Sequence, residues 1–240
     1  MGSFKPGDPA SVEALFDQIA PRYDLLNDLL SLGLHRVWKR QAVAWLQPRP
    51  GQKLLDLCCG TGDLALVLAP KVRPGGAVVG IDAAGAPLQV AAGRSARQSW
   101  LNIQWQQGDA LATGLPAASF DGAVMAYGLR NLADPGQGLR ELRRLLKPGA
   151  RAAVLDFNRP DPGRQGAELT ARFQRFYLRR LVVPAADRFG ARENYAYLEA
   201  SLERFPTGAA QQHLAEGAGF SRSQHRLLAG GQMGLLELVA

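Results

Sequence analysis

The 240 residues, 47% hydrophobic and 20% charged, have the balance of a soluble globular protein, either one large domain or one domain with a small cap. No apolar run reaches the roughly 18 residues that span a bilayer, and Met1 to Ala10 has one Lys and no apolar core, so no secretory signal is expected and the cytoplasm is the default compartment. The net charge is +7, and 23 of the 28 basic residues are Arg, which reflects either a GC-rich genome or a surface that attracts nucleic acid, an anionic membrane or a phosphorylated substrate.

Residues 1–10 read as a loose arm. From Ser11 the residues Val12, Leu15, Phe16 and Ile19 recur at helical spacing. Pro21 ends that helix, and Tyr23, Leu25, Leu26, Leu29 and Leu30 form a second apolar segment. Gly33 breaks it, and His35 to Leu46 reads as a further helix, closed by Pro48 and Pro50. Residues 1–50 are therefore expected to be an N-terminal helical cap, and 51–240 the main domain.

An apolar run ending in an acid, Leu54-Leu55-Asp56-Leu57, feeds the small-residue turn Cys58-Cys59-Gly60-Thr61-Gly62-Asp63, and a helix follows over Leu64 to Ala69. A buried parallel strand feeds a cofactor loop in this way. Further strands are expected at Ala77–Asp82, Asn102–Gln106, Phe120–Ala126 and Arg151–Phe157, with helices at Pro87–Gln98 and Gln137–Leu146 between them. Lys147-Pro148-Gly149 stops the last helix. This alternation predicts an α/β chain with a mainly parallel, doubly wound sheet. The pattern changes at about 160–206, expected as a helical insertion on the substrate side. Within it Leu169, Phe173, Phe176 and Tyr177 share a face beside Arg172, Arg175 and Arg179. Helices at Tyr195–Phe205 and Thr207–Ala218 precede an expected antiparallel hairpin, His225–Leu228 and Leu235–Val239.

In a doubly wound sheet the ligand lies at the carboxyl ends of the strands. Asp56 to Gly62, Asp82, Asp109, Tyr127 to Asn131 and Asp156 to Asn158 therefore surround one pocket. Asp82 suits a ribose diol, which fits NAD and S-adenosylmethionine equally. Asp109 is placed for an adenine amino group, as in a methyltransferase. Acids on both sides of the glycine turn repel a pyrophosphate and suit a sulfonium and an ammonium group. Cys58 and Cys59 are small packing residues beneath that cofactor. No metal site is expected, since the two thiols lack His or Cys partners.

Leu54 to Asp63, Gly80 to Asp82, Gly108-Asp109-Ala110 and Leu146 to Gly149 together resemble a class I S-adenosylmethionine-dependent methyltransferase. The runs Phe16-Asp17-Gln18-Ile19-Ala20, Arg22-Tyr23-Asp24, Trp38-Lys39-Arg40, Tyr127-Gly128-Leu129-Arg130-Asn131, Leu155-Asp156-Phe157-Asn158 and Tyr195-Ala196-Tyr197-Leu198 narrow this to the quinone-biosynthesis C-methyltransferases of the ubiquinone and menaquinone pathways. The segment Phe173 to Pro184 resembles most the cyanobacterial and plastid branch, which methylates 2-phytyl-1,4-naphthoquinone. One departure is Ala83-Ala84-Gly85, where the family usually has a Ser or Thr.

The resemblance implies a Rossmann-like, seven-stranded sheet with a C-terminal antiparallel hairpin. It implies S-adenosyl-L-methionine held by Asp56, Cys58, Gly60, Thr61, Gly62, Asp82, Asp109, Ala110 and Tyr127. The acceptor is a phytylated naphthoquinol, with Tyr23, Tyr195 and Tyr197 in its pocket. Arg130, with Asn131 as hydrogen-bond partner, is expected to favour the acceptor's phenolate. His225 is a weaker candidate base. Demethylmenaquinone and a ubiquinone precursor are the alternative acceptors. RNA methylation and cofactor binding without catalysis are the readings from other classes, although no Asn-Pro-Pro-aromatic segment follows the fourth strand. Peripheral contact with an anionic membrane and a homodimer complete the expected partners, and no specific nucleic acid is among them.

Overall fold

The computed structural model describes residues 7–19, 31, 33–163, 165–177, 180 and 192–240. Helix α1 (Pro9–Ile19) is followed by α2 (Leu34–Leu46), strand β1 (Lys53–Leu57), α3 (Asp63–Leu68), β2 (Ala77–Asp82), α4 (Gly85–Ala96), β3 (Ile103–Gln107) and β4 (Phe120–Ala126). Then come α5 (Pro135–Leu145), β5 (Leu146–Phe157), α6 (Ala167–Tyr177), α7 (Arg192–Arg204), α8 (Gly208–Gly217), β6 (Arg222–Leu228) and β7 (Met233–Val239). The expected second apolar segment, Tyr23 to Leu30, and the run Val182 to Pro184 lie outside the described residues.

The seven strands form one sheet in the order β3-β2-β1-β4-β5-β7-β6. The first five are parallel, and β7 runs antiparallel between β5 and β6. Successive side chains of a strand point to opposite faces, and each face has its own core. Leu54, Val78, Val124 and Leu155 pack under α2 and α3, with Val43, Leu46 and Leu64. Leu55, Val79, Ala123 and Val154 pack on the other face, with Leu139 and Leu142 of α5 and Phe205 after α7. A sheet buried on both sides explains why β1 and β4 read as continuous apolar runs.

The two helices described within residues 1–50, the expected cap, have different roles. The buried Ala42, Val43 and Leu46 make α2 part of the core beneath the sheet. By contrast α1 sits over the carboxyl edge, where Asp17 Oδ1 accepts a hydrogen bond of 2.8 Å from the Ala86 amide at the start of α4.

Two boundaries differ from expectation. Lys147-Pro148-Gly149 does not precede β5 but lies within it, where the pairing with β4 shifts register between Phe120 and Gly122. A bulge of this kind accommodates a proline. The hairpin is longer than the apolar pattern suggests, with Arg222 paired to Val239. Because β6 is an edge strand its outer face is polar, and polar edges discourage pairing between molecules.

Candidate active site

The strand order reverses between β1 and β4, which places a crevice at their carboxyl ends. The residue after each of these strands is strained. Cys58 (φ 59°) and Tyr127 (φ 62°) both occupy the left-handed region without being glycine. The Cys59 amide donates to the Ile81 carbonyl at 2.9 Å and the Tyr127 amide to the Leu155 carbonyl at 2.7 Å, so neighbouring strands hold both turns. Gly60 also has a positive φ, and a side chain there would project into open space. Gly62 differs, since a Cβ would collide with the Trp105 ring. One glycine opens the crevice and the other lets the turn pack.

Above this floor is a cavity of about 390 Å³, within the range of small-molecule sites (roughly 300–1,000 Å³). Cys58, Gly60, Thr61, Asp82, Asp109, Ala110, Tyr127 and Asn131 are among the residues that line it. Val12, Glu13 and Phe16 of α1 close it from above. Asp82 Oδ2 accepts from the Gly60 amide at 2.8 Å and Oδ1 from the Ala84 amide at 3.0 Å. The backbone thus orients this carboxylate although the hydroxyl usual in the family is absent, and its remaining lone pairs are available to a diol. Asp109 is exposed and accepts from the Leu111 amide at 2.8 Å. Acids at one end and an open glycine floor fit the adenosine part of S-adenosylmethionine.

Asp56, Gly62, Arg130 and Tyr197 do not line this cavity. Asp56 lies beneath the turn, accepting from the Ala65 amide at 2.9 Å in the first turn of α3. Burial pushes its carboxyl up to about 7, against the Ala65 bond and the Lys39 ammonium. A smaller cavity lined by Lys39, Asp56, Asp63, Cys59 and Thr61 continues below. There Asp63 pairs with Lys39 at 2.8 Å and with Arg94 at 2.6 Å. Burial raises the Asp63 carboxyl, but the two cations outweigh it and hold it down to about 2. Burial, then Asp82 and Asp56, push the Cys58 thiol upward; Cys59 is raised by burial and the same two acids. Both therefore stay protonated and packed rather than nucleophilic.

The turn after β4 is locked by a buried ion pair. Arg130 Nη1 lies 2.7 Å from Asp156 Oδ1 and also donates to the Tyr127 carbonyl at 2.9 Å. The Arg130 amide donates to the other oxygen of Asp156 at 3.1 Å. Asn131 uses Nδ2 to bond the Tyr127 carbonyl at 2.9 Å, and its Oδ1 accepts from the Tyr197 hydroxyl at 3.0 Å. Burial raises the phenol of Tyr197, which keeps it a donor. The guanidinium expected to face the acceptor thus stands behind the wall, and Asn131 forms the wall itself. Tyr197 supports Asn131 rather than touching the cavity. Tyr23 and the side chain of Tyr195 lie outside the described residues. His225 does not line the cavity and is packed in β6 between Gly208 and Gly234.

Sequence reasoning assigned no role to Asp17, Lys39 or Arg94, while Asp63 was expected as one of the two acids flanking the glycine turn. Asp17 and Lys39 sit within runs that carried the family resemblance, which was the available signal. Their partners are distant in the chain and nothing local identifies them.

The ubiE/COQ5 methyltransferase family model matches residues 5–236. A protein of Synechococcus elongatus described as 2-phytyl-1,4-naphtoquinone methyltransferase is 53% identical over 97% of this chain and 98% of its own length. The chloroplastic 2-phytyl-1,4-beta-naphthoquinone methyltransferase of Arabidopsis thaliana is 43% identical over 92% of this chain and 84% of its own. Among solved structures, a SAM dependent methyltransferase from Aquifex aeolicus shares 18% identity with a TM-score of 0.59, covering 97% of this chain and 98% of that one. A Thermotoga maritima methyltransferase shares 17% with a TM-score of 0.63, over 95% and 99%. The structural likenesses show the class I methyltransferase fold.

Proposed function

Because the chain belongs to the ubiE/COQ5 methyltransferase family, whose members use S-adenosylmethionine, we propose that it methylates a ring carbon of 2-phytyl-1,4-naphthoquinol, the last step in making phylloquinone. The observation that carries the acceptor is the 53% identity, along almost the whole of both chains, to a phytylnaphthoquinone methyltransferase.

When bound, S-adenosylmethionine supplies an electrophilic methyl carbon on a cationic sulfur. Asp82 would hold the ribose hydroxyls and Asp109 the adenine amino group, over the open floor at Gly60 and Thr61. The Lys39, Asp56 and Asp63 charges below the turn suit the amino-acid end. The acceptor ring then lies against Tyr127 and Asn131. Holding the two reactants in line supplies much of the rate.

The ring carbon becomes nucleophilic when an adjacent hydroxyl loses its proton to solvent water. The Asn131 amide has a second N–H beyond the one given to Tyr127, and this can stabilise the resulting oxyanion. The new C–C bond would form as the sulfur–methyl bond breaks and S-adenosylhomocysteine leaves, and the hydrogen on that carbon would then leave as a proton to restore the ring. Arg130 is a positioning residue in this reading. Its charge is balanced by Asp156 and its hydrogen bonds shape the turn that presents Asn131. The phytyl tail is nearly insoluble in water, so the ring must come from a lipid phase.

Mass spectrometry after incubation with S-adenosylmethionine tests the reading. The panel is phytyl and polyprenyl naphthoquinones and a benzoquinone precursor, each with and without dithionite, beside RNA. Methylation of the reduced phytylnaphthoquinol above the others is expected. Preference for a benzoquinol or for RNA overturns the acceptor, and equal reaction of oxidised and reduced forms overturns the oxyanion step.

A further inference from the structure

Helix α6 is mounted with its apolar side outward. Two polar side chains on its inner face meet the sheet end. Gln174 Nε2 donates to the Asn158 carbonyl at 2.7 Å, and Thr170 lies against Gly231. Leu169, Phe173 and Phe176 point the other way and are 72%, 53% and 57% exposed. Their spacing of i, i+4 and i+7 makes one stripe. A soluble helix normally buries such a stripe, because exposed apolar area forgoes the gain of leaving water.

The surroundings of the stripe are basic. Arg172 and Arg175 flank it on the helix and Arg180 follows just beyond; all three are exposed, with Glu168 as the acid on this helix. The stripe also has company. Among the described residues, Leu34 and Val37 are exposed large apolar side chains as well. They begin α2, whose Lys39 reaches Asp63 at the carboxyl rim of the sheet. Asn158, which anchors α6, follows the carboxyl end of β5 on that same rim. Five of the seven exposed large apolar side chains among the described residues thus lie on these two helices, Val67 and Trp100 being the others, and arginines border the part on α6.

We propose that the outer face of α6 docks the protein on an anionic lipid surface, with the carboxyl rim of the sheet turned toward the lipid. An apolar stripe that sinks below the headgroups, edged by arginines that meet lipid phosphates, is the composition of an interfacial helix. The proposal rests on the reading that the acceptor carries a lipid tail. It adds the element that meets the membrane and the side of the molecule that faces it.

Flotation with vesicles, in the absence of any quinone, tests it. Full-length protein is mixed with phosphatidylcholine vesicles that contain about one-third phosphatidylglycerol, or none, at ~0.1 M salt, where surface charge still acts over about 10 Å. The protein is expected to float with the anionic vesicles. Leu169→Gln with Phe176→Gln should lower the bound fraction about tenfold, and Arg172→Gln with Arg175→Gln several-fold. Lys71→Gln with Arg73→Gln, at the opposite end of the sheet, should leave it unchanged. Both α6 variants should keep the wild-type thermal shift with S-adenosylhomocysteine, since they alter only exposed positions.

Equal flotation of the Leu169/Phe176 variant overturns the proposal. So does an equal loss in the Lys71/Arg73 control, which would mean diffuse charge. A wild-type dimer that this variant converts to a monomer also overturns it, making the stripe a subunit interface. Flotation is read without acceptor, so a wrong acceptor leaves it intact; methylation of a short-chain naphthoquinol in solution tests the acceptor without the membrane.

Discussion

The Tyr197 hydroxyl donates to Asn131 Oδ1 at 3.0 Å, across 66 residues of chain. It ties the helical insertion after β5 to the turn whose Tyr127 and Asn131 line the cavity. Tyr197→Phe removes this donor and leaves the Asn131 amide able to swing. We expect kcat to fall about tenfold, which corresponds to ~1.4 kcal/mol. Binding of S-adenosylhomocysteine should not change, because Tyr197 does not line the cavity proposed to hold it. Steady-state kinetics with calorimetry check this, and an unchanged kcat would make the bond structural only.

The Arg130–Asp156 pair is buried on both sides. Arg130→Ala strands the Asp156 carboxylate, and breaking a buried pair in this way costs about 3–5 kcal/mol. Urea unfolding should show that loss. Arg130→Met combined with Asp156→Leu removes both charges and should recover most of the stability while leaving methyl transfer impaired. If the double variant is as unstable as Arg130→Ala, hydrogen bonds to the turn outweigh the stranded charge.

Asp56 titrates at about 7 because its ionised form is desolvated. Its folded pKa is raised, so its contribution to stability is full below the ordinary carboxylate range near 4 and is lost as pH rises through about 7. Asp56→Asn, which keeps an acceptor for the Ala65 amide, should therefore melt higher than wild type at pH 8. The gap should close by pH 4. A constant gap across this range would mean that ionisation is not its cause.

The same carboxyl makes a prediction for binding. A cation held beside Asp56 favours its ionised form, so binding of S-adenosylmethionine at pH 6 should release part of a proton. Calorimetry in two buffers of different ionisation enthalpy reads this directly. Identical enthalpies would put the cationic groups of the cofactor away from Asp56.

Asp17 joins α1 to the start of α4 by accepting from the Ala86 amide. Loss of such a helix cap costs roughly 0.5–2 kcal/mol. In Asp17→Ala, Val12, Glu13 and Phe16 lose their anchor above the cavity, and the Kd for S-adenosylhomocysteine should rise several-fold. Asp17→Asn keeps an acceptor and should lie between. Wild-type affinity in Asp17→Ala would show that the helix is held by packing alone.

Much of this protein could be read without coordinates, for local reasons. Strands buried on both faces must be apolar along their length, so Leu54 to Leu57, Ala77 to Ile81 and Phe120 to Ala126 stand out in one dimension. Parallel strands all end on one edge, so the acids at Asp82 and Asp109 had to converge, and the cavity contains both. The edge strand β6 was only half visible because its outward face is polar.

The tertiary structure decided what each polar side chain does once gathered there. Asp56 and Asp82 both stand at the ends of parallel strands, yet one turns under the loop to the Ala65 amide and the other faces the cavity. Arg130 looked like a charge offered to the acceptor until Asp156, 26 residues away, was seen to take it. Lys39 acquires its place from Asp63, and Asn131 from Tyr197. Hydrophobic periodicity is a property of neighbours along the chain, and it specifies the strands and the edge at which they end. The partner of a buried charge is set by packing between segments remote in sequence, and only the folded chain brings those segments together.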